Sequence, residues 1–193
     1  MSKVQVDTID TRSGTSTMQI GSTNTSTINL GVSGHTVNIP SGVTIANAGT
    51  ATGFGGDNTP NFHAYKSSTQ SIAFQNNVKI TFETEDFDSD NAFLNSKFTV
   101  PSGKAGKYFL YASIQTNSSE DFDDYQIKIY KNGSLASGTR DRHFLSETIK
   151  TFTTLSLSVS DEIEVYAYVG SGSNKNIVAE RYYVYFGGYK LIE

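Results

Sequence analysis

Along residues 17–45, TMQIGSTNTSTINLGVSGHTVNIPSGVTI, the apolar side chains come in pairs one residue apart: Met18/Ile20, Ile28/Leu30, Val37/Ile39 and Val43/Ile45. Gly, Ser, Thr and Asn separate the pairs, which recur at intervals of ten, nine and six residues. A spacing of two is the strand period, so the stretch predicts very short β-segments, each with one sparse apolar face. The second part of the chain is denser. In GKYFLYASIQT, Tyr108, Leu110, Ala112 and Ile114 share one face while Phe109 and Tyr111 share the other, so both faces of that strand carry apolar bulk. In YQIKIYKNGSL, Ile127 and Ile129 alternate with Gln126 and Lys128, and Asn132-Gly133 predicts a two-residue hairpin turn. In LSLSVSDEIEVYAYVG, Leu155, Leu157 and Val159 precede a turn at Ser160-Asp161, after which Ile163, Val165 and Ala167 alternate with Glu164, Tyr166 and Tyr168. RYYVYFGGYKLIE predicts a closing strand, and no stretch reads as an amphipathic helix. The pattern is all-β.

Composition places a boundary near Phe54. All 11 Tyr, and all 12 Phe except Phe54, lie beyond Pro60, whereas the preceding residues are poor in aromatics and charge. One copy of such a segment cannot bury enough apolar surface to offset its chain entropy. The formal net charge of −4 and a sequence pI near 5.4 supply no electrostatic footprint for nucleic acid. Cysteine is absent and the three histidines, His35, His63 and His143, lie far apart in sequence, which argues against disulfides and a zinc centre. MSKVQVDTIDTR lacks the apolar core of a signal peptide, and no run reaches the length of about 18 apolar residues that spans a bilayer. The expectation is a protein without membrane insertion.

Five pieces in order carry a family resemblance: FHAYKSSTQSI, SKFTVPSGKAGKYFLYASI, IYKNGS, LSLSVSDEIEVYA and YFGGYKLI. Together they make residues 62–193 resemble the C1q-like domain of the C1q/tumour-necrosis-factor superfamily. That resemblance implies a jelly-roll β-sandwich of ten strands assembling as a trimer, with members that bind proteins or glycans and in some cases calcium. Two departures stand out. Phe109 follows Tyr108 directly, and Ser160 occupies the position before Asp161 where the family has Gly, which bears on the geometry of that turn.

With a trimer implied, the sparse pairs acquire a reading. Three copies wrapped together could place Met18, Ile20, Ile28, Leu30, Val37 and Ile39 on a common axis, a thin trimeric β-shaft or β-prism over residues 17–53. A disordered linker is the alternative, but a linker has no use for apolar pairs in register with glycines. MSKVQVDTIDT resembles the opening of small structural proteins of tailed bacteriophages, which implies virion attachment through residues 1–16, with Val4, Val6 and Ile9 as its apolar contacts. Residues 54–61 then form a linker and 62–193 a knob.

Candidate chemistry is thin. EDFDSDN sets Asp86, Asp88 and Asp90 at alternate positions like the first ligands of an EF-hand, but Asn91 stands where that loop needs Gly and Lys97 where it needs Glu. A different calcium site would draw Glu120, Asp121, Asp123 and Asp124 from another loop; solvated acidic loops are the simpler explanation. GTRDRHFLSE gathers Arg140, Asp141, Arg142, His143 and Glu147 without a nucleophile, and reads as an ion-paired surface loop whose arginines could contact glycan or protein. Tyr166, Tyr168, Tyr183, Tyr185 and Phe186 are assigned to the core and the threefold contact. Receptor-contact candidates are Asp86, Asp88, Glu120, Asp121, Arg140, Arg142 and His143, on loops displayed by a rigid sandwich. No Gly-x-Ser-x-Gly or His-Glu-x-x-His is present, and GFGG lacks the Lys of a phosphate loop.

These readings converge on a non-enzymatic virion structural protein without cofactor: a trimeric fibre or appendage whose knob binds a host surface protein or glycan. A capsid decoration or cement protein is the alternative, and a glycan-processing enzyme a weaker one.

Overall fold

The computed structural model describes Ile20, Thr23 and residues 27–30, 33–46, 58–116, 124–142, 148–170 and 172–192. Two units divide the chain, Met1–Ala51 and Thr52–Glu193.

The described residues of the first unit hold turns at Ser33-Gly34 and Ser41-Gly42, with Gly34 and Gly42 at φ of 87° and 84°, and no strand. The Val43 N–H donates to the Pro40 carbonyl at 3.3 Å, closing the second turn. Ile20, Ile28, Leu30, Val37, Ile39, Val43 and Ile45 are all 45–65% exposed. Among the described residues of a single copy, these apolar side chains thus have neither a pairing strand nor a cover. Met18, Val4, Val6 and Ile9 lie outside the described residues.

In the second unit, the described residues form thirteen strands: β1 (Asn61–Tyr65), β2 (Gln70–Ile72), β3 (Val78–Lys79), β4 (Thr84–Asp88), β5 (Phe93–Leu94), β6 (Lys97–Thr99), β7 (Gly106–Gln115), β8 (Tyr125–Lys131), β9 (Ser134–Asp141), β10 (Thr148–Leu157), β11 (Glu162–Val169), β12 (Lys175–Ile177) and β13 (Tyr185–Lys190). No helix occurs among them. One sheet runs β10-β7-β13-β1-β4, the other β5-β6-β11-β8-β9 with β3 also on β11, and β12 pairs with β2. The pairings are antiparallel.

The core lies between the two larger sheets and follows the alternation of the strands. Tyr108, Leu110, Ala112 and Ile114 of β7 meet Ile127 and Ile129 of β8 and Ile163, Val165 and Ala167 of β11, all buried. At its centre Phe62 stacks on Phe98 and Phe93, with ring centroids 4.7 and 5.1 Å away, and meets Phe186 edge-on at 4.9 Å. Phe186 is therefore core. Tyr166 and Tyr168 are not. They alternate with the buried Val165, Ala167 and Val169, so their rings lie half-buried on the outward face of the second sheet. Tyr183 is exposed in the turn before β13, and Tyr185 points outward from the first sheet.

Turn chemistry agrees with the hairpin reading. Asn132 and Gly133 adopt φ of 50° and 76°, the two positive values that a type I′ turn needs, and Lys131 pairs with Ser134 across them. Ser160 takes a left-handed φ of 68° in the turn between β10 and β11. The Asp161 carboxylate braces both turns by accepting from the Ser158 N–H and Asn132 Nδ2, each at 2.7 Å, and pairing with Lys131 at 2.8 Å.

A buried lysine clasps the chain after β1. Lys66, 1% exposed, spends its three donors on the Thr81 carbonyl (3.1 Å), Thr81 Oγ1 (2.7 Å) and Glu83 Oε1 (2.9 Å). Burial pushes the Glu83 carboxyl up, but hydrogen bonds from Lys66, the Ser67 N–H, Thr81 and Ser68 outweigh it and bring the pKa from 4.5 to about 2. A depressed carboxylate adds stability that is complete above its unfolded pKa and disappears as pH falls through the folded one. Glu83→Gln should therefore cost roughly 2 kcal/mol of unfolding free energy at pH 7. The gap to wild type should close between about pH 4.5 and 2. Urea titrations of both proteins across that range check it.

Candidate interaction face

The two outward faces of the sandwich differ in kind. On the five-stranded sheet, the register aligns Phe152 of β10, Tyr111 of β7, Gly187 of β13, His63 of β1 and Phe87 of β4 in one row. Phe109 and Tyr189 pair in the outward row on one side of it, and Tyr185 with Tyr65 in the outward row on the other. Ring centroids lie 5.5 Å apart for His63–Tyr185, 5.6 Å for Phe109–Tyr189, 6.1 Å for Tyr111–Tyr185 and 6.3 Å for Phe109–Phe152. Phe152 is 71% and Phe87 50% exposed. Burial, with Tyr185, Tyr189 and Asp86 close by, pushes the Tyr111 hydroxyl above its ordinary pKa, so it stays protonated.

Gly187 makes this row possible. A Cβ there would sit 2.4 Å from the Tyr111 hydroxyl and 2.9 Å from the Phe62 carbonyl oxygen, so the Tyr111 ring lies in the space that a side chain would take. Two recesses flank the row. One, of about 430 Å³, is lined by Asn58, Asn61, Phe87, Tyr111, Gly188 and Tyr189; the other, of about 380 Å³, by His63, Asp86, Arg181, Tyr182 and Tyr185.

The outward face of the second sheet is instead covered by polar pairs. Lys79 meets Glu164 at 2.6 Å, and Lys97 meets Glu162. Lys128 sits 4.8 Å from the Tyr168 ring and donates to Asn77 Oδ1 at 2.7 Å, while Tyr130 and Tyr166 pack at 4.4 Å. Charges and amphipathic rings of this type tolerate water; a continuous band of Phe and Tyr does not.

The sequence-predicted site residues separate into different environments. Asp86, Asp88 and Asp90 do not converge. Asp86 binds His63 Nδ1 at 2.9 Å and the Arg181 guanidinium; Asp88 accepts from the Phe93 N–H at 2.8 Å; Asp90 accepts from Ser89 Oγ at 2.6 Å. Among the described residues no group of three or more His, Asp or Glu side chains could hold a metal ion. Each of these three carboxylates accepts from a protein donor instead. Arg140 is held by Asp124 through two hydrogen bonds of 2.7 and 2.8 Å, and Gln126 adds a third to that carboxylate. Burial raises the Asp124 carboxyl, yet these bonds outweigh it and hold it below its ordinary pKa. Arg142 is exposed. Glu120, Asp121, Asp123 and His143 lie outside the described residues.

Sequence reasoning did not single out Phe87, Phe109, Tyr111, Phe152, Tyr189 or Arg181 as site residues. The outward alternation of Phe109 and Tyr111 was legible; that Phe87 and Phe152 join them depended on cross-strand register.

No protein-family model matches the chain, and no curated protein matches it. Solved structures do. The globular domain of zebrafish complement 1qA aligns over 69% of this chain and 98% of its own, at 14% identity and a TM-score of 0.50. The described sandwich has the C1q/tumour-necrosis-factor jelly-roll fold. Murine APRIL aligns over 68% of this chain and 98% of its own, at 12% identity and a TM-score of 0.54. For the PRD1 vertex protein P5 the values are 70%, 99%, 12% and 0.56. At such identities the likeness is one of fold.

Gly187→Ala should displace the Tyr111 ring and lower the unfolding free energy by about 1–3 kcal/mol, as overpacking does. Near-UV circular dichroism and urea titration check both effects; an unchanged aromatic spectrum would contradict the close packing.

Proposed function

We propose that this chain is a non-enzymatic structural protein of a virion and that it acts as a homotrimer. Residues 1–16 attach it to other virion proteins, residues 17–53 form the shaft, and the C1q-like sandwich is a displayed knob. The observation that carries the reading is the outward aromatic band of the five-stranded sheet, with Phe152 71% exposed at one edge and the recess beside Phe87 at the other. A projecting ring and a recess at opposite edges of one face suit a head-to-tail contact between copies, and such contacts close into a ring when the rotation allows. The exposed apolar pairs of the first unit support the same conclusion, because copies of this chain could cover what one copy leaves bare.

Assembly gives the knob its function. Three copies of a modest loop site raise avidity for a host surface protein or glycan through effective concentration. Arg142, exposed at the end of β9, is the described candidate contact, while Arg140 is committed to Asp124. A second reading, shell decoration, is favoured by the shared fold of the PRD1 vertex protein P5.

Phe152→Asp should convert the trimer to monomers with the β-sheet circular dichroism intact, because a carboxylate placed in a covered aromatic face costs several kcal/mol. Multi-angle light scattering reads the mass; a wild-type monomer at micromolar concentration would overturn the reading. Quantitative gel densitometry and imaging of purified particles should find tens of copies at a tail or vertex for a receptor-binding appendage. Hundreds on the shell would establish decoration.

A further inference from the structure

The recess of about 380 Å³ on the aromatic face contains one carboxylate and two basic side chains. Asp86 of β4 accepts from His63 Nδ1 of β1 at 2.9 Å on one oxygen and from Arg181 Nη2 on the other. Arg181 also lies over the Tyr65 ring, 5.0 Å from its centroid. It is held there by the turn before β13, in which the N–H groups of Tyr183 and Val184 donate to the Glu180 carbonyl and Ser113 Oγ donates to the Tyr183 carbonyl at 2.7 Å. The side chains around the His63 imidazole are Asp86 and Phe87 from β4, Tyr111 from β7 and Tyr185 from β13, with Arg181 across the shared carboxylate. Asp86 is the one acid in that set.

The charge balance is therefore poised. With a neutral imidazole, Asp86 and Arg181 cancel and the recess can be covered. With an imidazolium, the cluster carries one net positive charge, because its carboxylate is already committed to a permanent cation.

We infer that self-association through the aromatic face is released by acid, and that His63 is the group that takes up the proton. This rests on the self-association proposed above. When a second copy covers the face, an imidazolium at His63 loses its water without gaining a new anion. In the separated chain the recess opens to solvent, which stabilises the same charge. The separated copy thus binds the proton more tightly, and linkage requires falling pH to favour separation. Imidazoles change charge between about pH 8 and 5. One proton per copy in a ring of three shifts the assembly constant by up to about a thousandfold per pH unit within that range.

The test uses the full chain, with light scattering and circular dichroism recorded together from pH 8 to pH 5 for wild type, His63→Gln and His63→Phe. Gln keeps a hydrogen-bond donor to Asp86, and Phe keeps a ring against Phe87 and Tyr185, but neither takes up a proton. Wild type should pass from trimer to monomer while its β-sheet signal stays constant, and at least one variant should remain trimeric at pH 5. A wild-type trimer that persists at pH 5 overturns the inference and leaves the self-association reading standing. Parallel dissociation of wild type and both variants, or failure of both variants to assemble at pH 8, overturns the assignment to His63. Loss of the β-sheet signal together with the mass change overturns it as well, since acid would then be unfolding the chain. A wild-type monomer at pH 8 overturns both readings together.

Discussion

The ring of Phe62 lies between the two sheets, and much of the sandwich is arranged around it. It stacks on Phe98 and Phe93 from the second sheet while Phe186 of the first meets it edge-on, so one side chain binds both layers. Aromatic pairs of this geometry contribute about 0.5–1.5 kcal/mol each beyond their burial. Space for the ring comes from Gly188: a Cβ there would lie 3.2 Å from Phe62 Cε1 and 2.7 Å from Leu110 Cδ2. The adjacent Gly187 faces the other way and leaves room for Tyr111 on the outside. Two consecutive glycines in the central strand β13 thus serve both sides of one sheet, with Phe62 packed inside and the aromatic band outside.

That band is what distinguishes the two outward faces. Strand alternation sends half of each strand's residues outward regardless of chemistry. On the second sheet those residues are Glu162, Glu164, Tyr166, Tyr168, Gln126 and Lys128, a mixture suited to water. On the first they include Tyr65, Phe87, Phe109, Tyr111, Phe152, Tyr185 and Tyr189, with His63, Asp86 and Arg181 forming the charged cluster among them. The proposed assembly and its acid release both follow from this contrast: an apolar face gains by being covered, and a single carboxylate shared by two basic groups makes coverage depend on a proton.

Much of the fold was legible residue by residue. The alternation of Ile127 and Ile129, of Ile163, Val165 and Ala167, and of Tyr108 through Ile114 identified core faces that are all buried. Asn132-Gly133 identified its turn because few other dipeptides accept two positive φ values. The same alternation, applied strictly, keeps Tyr166 and Tyr168 out of the core. Asp86, Asp88 and Asp90 looked alike because spacing does not reveal which donors will reach them. His63 and Arg181, 23 residues before and 95 residues after Asp86, become its partners through folding.

By itself the sequence determined strand periodicity, turn positions, the contrast between a sparse first part and an aromatic second part, and a resemblance that led to the jelly-roll fold. These are local properties, encoded by neighbours within a few residues. Tertiary structure decided which aromatics share a face, which carboxylates are already occupied and where the two glycines make room. Those depend on register between strands far apart in the chain, where a shift of one residue reverses every side chain.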